Sequence, residues 1–162
     1  MASESDITDK LWKAIKSDRT IMLGLVDGRG GDSQPMTALF EDEPGVSPLW
    51  IFSSSDVDLV KAVGSGSAAS AQFASKDHEV FAALSGNLSV SVDRSMIDRL
   101  WNPFAAAWYE GGKDDPKLRL LRFDLDHAHV WLNENSIFAM IKLMLGSDPK
   151  KDYKDKVADV PL

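Results

Sequence analysis

Between residues 6 and 18 the apolar residues Ile7, Leu11 and Ile15 recur in four-residue steps, and Trp12 widens their stripe. That spacing predicts an amphipathic helix with Asp6 as its N-cap. Over 19–26 the pattern changes to a run of apolar and β-branched residues ending at Asp27-Gly28, which predicts a strand entering a turn. The turn over 27–32 is glycine-rich but has neither a Lys-Ser/Thr sequel nor a following helix. It predicts a hairpin connection rather than a phosphate loop. Residues 33–40 read as the returning strand, with Pro35 at a start or an edge because proline cannot donate to a ladder. A short apolar strand over 49–52, a helix over 56–63 and a strand over 68–74 follow.

Over 80–92, Leu88, Val90 and Val92 alternate with Ser89 and Ser91, the pattern of a half-buried antiparallel strand. Residues 94–101 predict a helix with Ile97, Leu100 and Trp101 on one side. Residues 118–132 predict a strand pair or one long bent strand. A last helix over 136–145 has Ile137, Met140, Ile141 and Met144 spaced for burial and is ended by Gly146. About six strands in sequential antiparallel order, with three or four inserted helices, make the fold class mainly β (α+β). Strand–helix–strand alternation is absent, so a doubly wound parallel sheet is excluded and a small closed or partly closed barrel is expected. The folded domain is expected over 1–146, and the charged, proline-containing stretch 147–162 as a C-terminal tail.

Composition narrows the function. The 162 residues suit one domain, not a catalytic domain plus a binding domain. A formal net charge of −7 argues against a broad nucleic-acid interface, which needs a basic face. The lack of cysteine removes disulfides, thiolate metal sites and cysteine nucleophiles, and agrees with a reducing compartment. No apolar run approaches the roughly 20 residues of a membrane span, and no signal-like segment opens the chain. A cytoplasmic protein without membrane or nucleic-acid partners is expected.

Two groups of residues invite a chemical reading. Ser53, Ser54 and Ser55 lie where the strand over 49–52 meets the next helix, with Lys61 further along. Hydroxyls and free N–H groups at a helix start can hold an anion, although serine there is more often a plain cap. His127 and His129 are two apart and would share one strand face, but no third ligand is evident, so a surface pair is expected rather than a metal site. No Ser-His-Asp or paired-carboxylate pattern stands out, and the aromatic residues are expected mostly in the core.

The stretch over 101–118 is more specific. It carries Trp101, Pro103, Trp108-Tyr109, Gly111-Gly112, Asp114-Asp115-Pro116 and Leu118. It resembles the W-x-P-x(4)-W-[FY]-x-G-G-x-D-D-P-x-L segment of the pyridoxamine 5′-phosphate oxidase-like proteins of the general stress type. Arg19 to Leu23, Pro35-Met36, Leu49 to Ser54 and Leu84-Ser85-Gly86-Asn87-Leu88 follow the order of that group's other motifs, from about Asp6 to Leu132.

The resemblance implies a six-stranded antiparallel split β-barrel with flanking helices, a homodimer with FMN between subunits, and FAD or a deazaflavin as lesser alternatives. Gln34, Pro35 and Met36 would lie along the flavin ring, and Ile51 and Phe52 would offer it backbone groups. Ser53, Ser54 and Ser55 would meet the phosphate, and the partner subunit would close the site with Gln72, Phe73 and Trp108. The chain departs from the pattern twice. Gln34 stands where many relatives have Arg, and Leu59 where Lys is common, which leaves Lys61 as the expected substitute cation. The basic, tryptophan-containing C-terminal motif of true pyridoxamine-phosphate oxidases is not recognisable, so that activity is not expected. The expected function is a stress-related, FMN-dependent oxidoreductase acting on an unidentified small substrate. The alternatives are a non-catalytic flavin-binding or redox-sensing protein, and a dimeric barrel that has lost its cofactor.

Overall fold

The first helix, α1 (Glu4–Asp18), is capped by Ser3 and not by the expected Asp6. Ser3 Oγ accepts the Asp6 backbone N–H, and the Asp6 carboxylate accepts the Ser3 N–H, each at 3.1 Å. Asp6 is therefore the inner member of a capping box. Ile7, Leu11, Trp12 and Ile15 form the buried stripe that their spacing predicts. Arg19 ends the helix in the left-handed region, with its N–H donating to the Ile15 carbonyl.

The structure, a computed structural model, describes residues 3–41, 47–133, 144 and 157–162. Among these, seven strands form one sheet: β1 (Thr20–Leu25), β2 (Gln34–Thr37), β3 (Leu49–Ser54), β4 (Ser67–Ala74), β5 (Val80–Ser91), β6 (Leu118–Leu132) and β7 (Val157–Pro161). They run antiparallel in the order β2-β1-β4-β5-β6-β3, with β7 also on β6. Helices α2 (Asp58–Val63), α3 (Arg94–Leu100) and α4 (Pro103–Trp108) fill the connections. The glycine-rich turn makes the predicted hairpin. Arg29, paired with Asp27, ties it to the Ala62 carbonyl and to Ser67.

The two ends of the sheet meet at one place. Leu39 and Trp50 exchange backbone hydrogen bonds of 2.7 and 3.0 Å. Among the described residues β2 and β3 make no other ladder with each other, so the sheet curls into a barrel that is split rather than closed. One apolar cluster fills the barrel beneath α1. A second, of Leu39, Trp50, Met96 and Leu120, lies under α3 and seals the paired part of the seam. Each fully buried leucine contributes roughly 1.5–3 kcal/mol by leaving water.

The structure settles one alternative and changes one expectation. Residues 118–132 form one strand with a bulge: Ser85 faces His127 and Gly86 faces Leu125, which leaves Asp126 as the extra residue. A side chain at Gly86 would collide with the Asp124 carbonyl oxygen, so this position requires glycine. The end of the expected tail is instead β7, paired with β6 from His127 to Trp131 and burying Val160. This seventh strand adds to the six predicted. The helix expected over 136–145 lies outside the described residues, apart from Met144.

Candidate functional site

A cavity of about 600 Å³ opens where the seam stops being paired, within the usual range of ligand pockets. One wall is the β2 residues Gln34, Pro35, Met36 and Thr37. The opposite wall is the end of β3, with Phe52, Ser53 and Ser54. The third side comes from α4 and the loop after it, including Phe104, Trp108 and Tyr109. The walls are mainly apolar and aromatic, with two amides, four hydroxyls and three charges at intervals.

The rare residues of the 101–118 stretch each have a local task. Asn102 caps α4 by accepting the Ala105 N–H at 3.0 Å, and Pro103 occupies the first turn, where its missing N–H costs nothing. Trp101 stacks edge-on against Phe52 at 5.6 Å and so fixes α4 to β3. The Asp115 carboxylate accepts N–H groups from Gly111 at 3.1 Å and Lys117 at 2.9 Å. A Cβ on Gly111 would lie 2.8 Å from Asp115 Cα, which explains the glycine. Arg94 holds the same loop from outside through the Lys113 carbonyl and the Asp114 carboxylate.

This frame leaves Trp108 and Phe104 unusually bare, 84% and 83% exposed. Tyr109, half-buried against Trp101, has its hydroxyl pKa pushed up to about 12 by burial and by the Asp115 and Asp56 charges. The Lys117 and Gly111 N–H groups hold Asp115 below the usual carboxylate range, and the Ser54 hydroxyl does the same for Asp56.

Of the residues singled out in sequence, Gln34, Pro35, Met36, Phe52, Ser53, Ser54 and Trp108 come together on this cavity. Trp108, expected to reach the site of a second copy, lines the cavity of its own chain. Ile51 is fully buried in the core beside it. Ser55 sits in the turn after β3, its N–H donating to the Lys117 carbonyl at 2.8 Å. Ser55 and Lys61 are not on the cavity wall.

The serine-rich helix start is not formed. The β3–β6 ladder runs on through Ser54, opposite Leu118, and α2 begins only at Asp58 after Val57, without a side-chain cap. Ser53 is buried, and Ser54 Oγ donates to the Asp56 carboxylate at 2.5 Å. Gln72 and Phe73 point to opposite faces, as strand neighbours must. Phe73 is buried in its own core, whereas Gln72 is exposed beside Met22, which in turn faces Pro35 across β1 and β2.

The wall residues that sequence reasoning missed include Thr37 and Asp56, and also Asn102, Phe104, Tyr109, Asp115 and Lys117. The last five lie in the stretch that carried the resemblance, so the signal was there, read as a family mark rather than as a wall. His129 Nδ1 lies 2.5 Å from the Asp159 carboxylate. Among the described residues no cluster of three or more metal-ligating side chains forms. No described helix is long and apolar enough to cross a membrane.

With this geometry in place, comparison with known proteins is decisive. The profile of the family described as pyridoxamine 5′-phosphate oxidase like matches residues 6–153. The chain belongs to that family. A crystal structure of a general stress family protein from Xanthomonas campestris pv. campestris is 52% identical, with a TM-score of 0.78, covering 85% of this chain and 94% of that one. The general stress FMN/FAD binding protein of Xanthomonas citri is 51% identical, with a TM-score of 0.77, covering 82% and 93%. General stress protein 26 of Jannaschia sp. CCS1 is 26% identical, with a TM-score of 0.78, covering 98% and 99%. No curated protein matches the chain.

Proposed function

We propose that the chain binds FMN in the seam cavity and acts as a flavin-dependent oxidoreductase on a small substrate, as a homodimer. The observation that carries this reading is the cavity itself, at the point where the barrel splits. It pairs flat apolar walls (Pro35, Met36, Phe52 and Trp108) with spaced polar groups (Gln34, Thr37, Ser53 and Ser54). A tricyclic ring needs such walls, and its nitrogens and carbonyls need a few fixed partners, so the residues fit the group. The Xanthomonas citri relative, an FMN/FAD binding protein at 51% identity, supports the same reading.

Bound flavin would supply the electron and hydride chemistry. Pro35, Met36, Phe52 and Trp108 would hold the ring, and Gln34, Thr37, Ser53 and Ser54 would orient it through its polar groups. The dimer is supported by the exposed row Pro35, Met22 and Gln72 across three strands, next to the bare rings of Phe104 and Trp108.

A non-catalytic flavin binder is the second reading, favoured by the titration of the wall. Asp56 and Asp115 stay ionised and Tyr109 stays protonated at neutral pH, so none of these three is poised to exchange a proton there.

Absorbance and mass spectrometry of the natively purified protein test the binding. Bands of bound flavin and the mass of FMN are expected. A colourless protein that does not quench added FMN removes the proposal. Turnover of reduced flavoprotein with a panel of acceptors, set against free FMN, then separates enzyme from binder.

A further inference from the structure

Resting on the flavin reading, we infer that Lys117 is the cation that recognises the ligand's phosphate, in place of the residues the sequence pointed to. Gln34 brings an amide, not a charge, to the β2 wall. Leu59 is 1% exposed in the core, and Lys61 on α2 is not a wall residue. Among the described residues lining the cavity, Lys117 alone is positively charged.

Its position is fixed by the main chain. The Lys117 N–H donates to Asp115 at 2.9 Å, and its carbonyl accepts the Ser55 N–H at 2.8 Å. These bonds tie the residue both to the 111–117 loop and to the turn after β3. The side chain therefore leaves from a held point beside Ser54 and Asp56, and only its stem is free to adjust. Its ammonium lies 4.0 Å from the Asp56 carboxylate, at the outer limit of an ion pair, and both side chains are about two-thirds exposed. Asp56 already accepts the Ser54 hydroxyl at 2.5 Å. Such an exposed, loose pair is weak, and a phosphate dianion competes for the lysine on favourable terms.

The same geometry sets a limit. Asp56 and Asp115 place two negative charges on the wall that holds Lys117. With Lys117 the wall tolerates a phosphate, and without it the carboxylates repel one. Lys117 thus decides between a phosphorylated flavin and its uncharged nucleoside-like core, while contributing little to ring binding.

The experiment is a pair of titrations of flavin-free protein, with FMN and with riboflavin, followed by quenching of flavin fluorescence. Lys117→Gln should lower the preference for FMN over riboflavin by about tenfold, with riboflavin affinity unchanged. Lys117→Arg should keep the preference, and Asp56→Asn should raise it. Lys61→Gln should leave it as it was. Added salt should weaken FMN binding in the parent and much less in Lys117→Gln. If both flavins bind and Lys117→Gln keeps the parental ratio, the role of Lys117 is overturned while the flavin site stands. If the parent binds neither flavin, the site reading itself fails and takes this inference with it.

Discussion

The paired and unpaired parts of the barrel seam lie only a few residues apart yet have opposite characters. At Leu39 and Trp50 the backbones bond in both directions, and Met96 and Leu120 cover them with buried apolar surface. From Phe52 and from Met36 outward, the two strands face each other across a space lined by hydroxyls, amides and exposed rings. One half of the seam holds the sheet ends together, and the other keeps them apart to make room for a ligand. Stability and binding capacity are separated along a single line of the fold, so mutations should separate them too.

The largest effect is expected on the paired side. Leu120→Ala should destabilise the protein by about 2–5 kcal/mol in denaturant melts, because the residue is 1% exposed and the site cannot collapse easily. A loss under 1 kcal/mol would mean that the cluster beneath α3 does not hold the seam.

On the open side, Trp108→Ala should leave stability within about 0.5 kcal/mol, since the ring is mostly in water already. Flavin affinity should fall by up to about tenfold through the lost stacking, measured by fluorescence titration. A matching loss of stability would show that Trp108 supports the fold instead.

The smallest effect is electrostatic. Asp115 is held below its ordinary value of 3.8 by the N–H groups of Lys117 and Gly111. A depressed folded pKa means that its hold on the loop is present above that ordinary value and fades as pH falls through the folded one. Tryptophan fluorescence of Trp108 and Trp101 should therefore be flat from neutrality to about pH 4 and change below it. Asp115→Ala should show the changed signal at every pH.

The barrel was largely legible because most strands carry their own pattern. Leu88 and Val90 alternate with serines, and the turn that opens at Asp27-Gly28 places Gly28, Gly30 and Gly31 at positive φ. What escaped depends on distant partners. Residues 157–161 bury only Val160, and they become a strand because β6 offers them a ladder. The serines after Phe52 suit a cap or a strand equally, and Leu118 across the ladder decides for strand through Ser54. Lys117 meets Gln34 and Ser54 on one cavity only after three separate segments fold together. The hesitation over 118–132 had a physical source as well. Burial alternates along β6 but changes phase at Leu120-Leu121, where consecutive leucines serve the two clusters, and again at Asp126-His127, where the bulge lies.

That bulge bears on how the gene can change length. Between Arg119 and Leu125 a one-residue deletion would turn one side of β6 inside out, since every later side chain would swap faces. At Asp126 the arithmetic differs. The exposed extra residue has no opposite number on β5 and bonds the chain end, where its carbonyl accepts the Leu162 N–H at 3.0 Å; its loss would set Leu125 and His127 next to each other opposite Gly86 and Ser85, with buried and exposed positions still alternating. Along this strand, insertions and deletions among related chains should therefore collect at a single position.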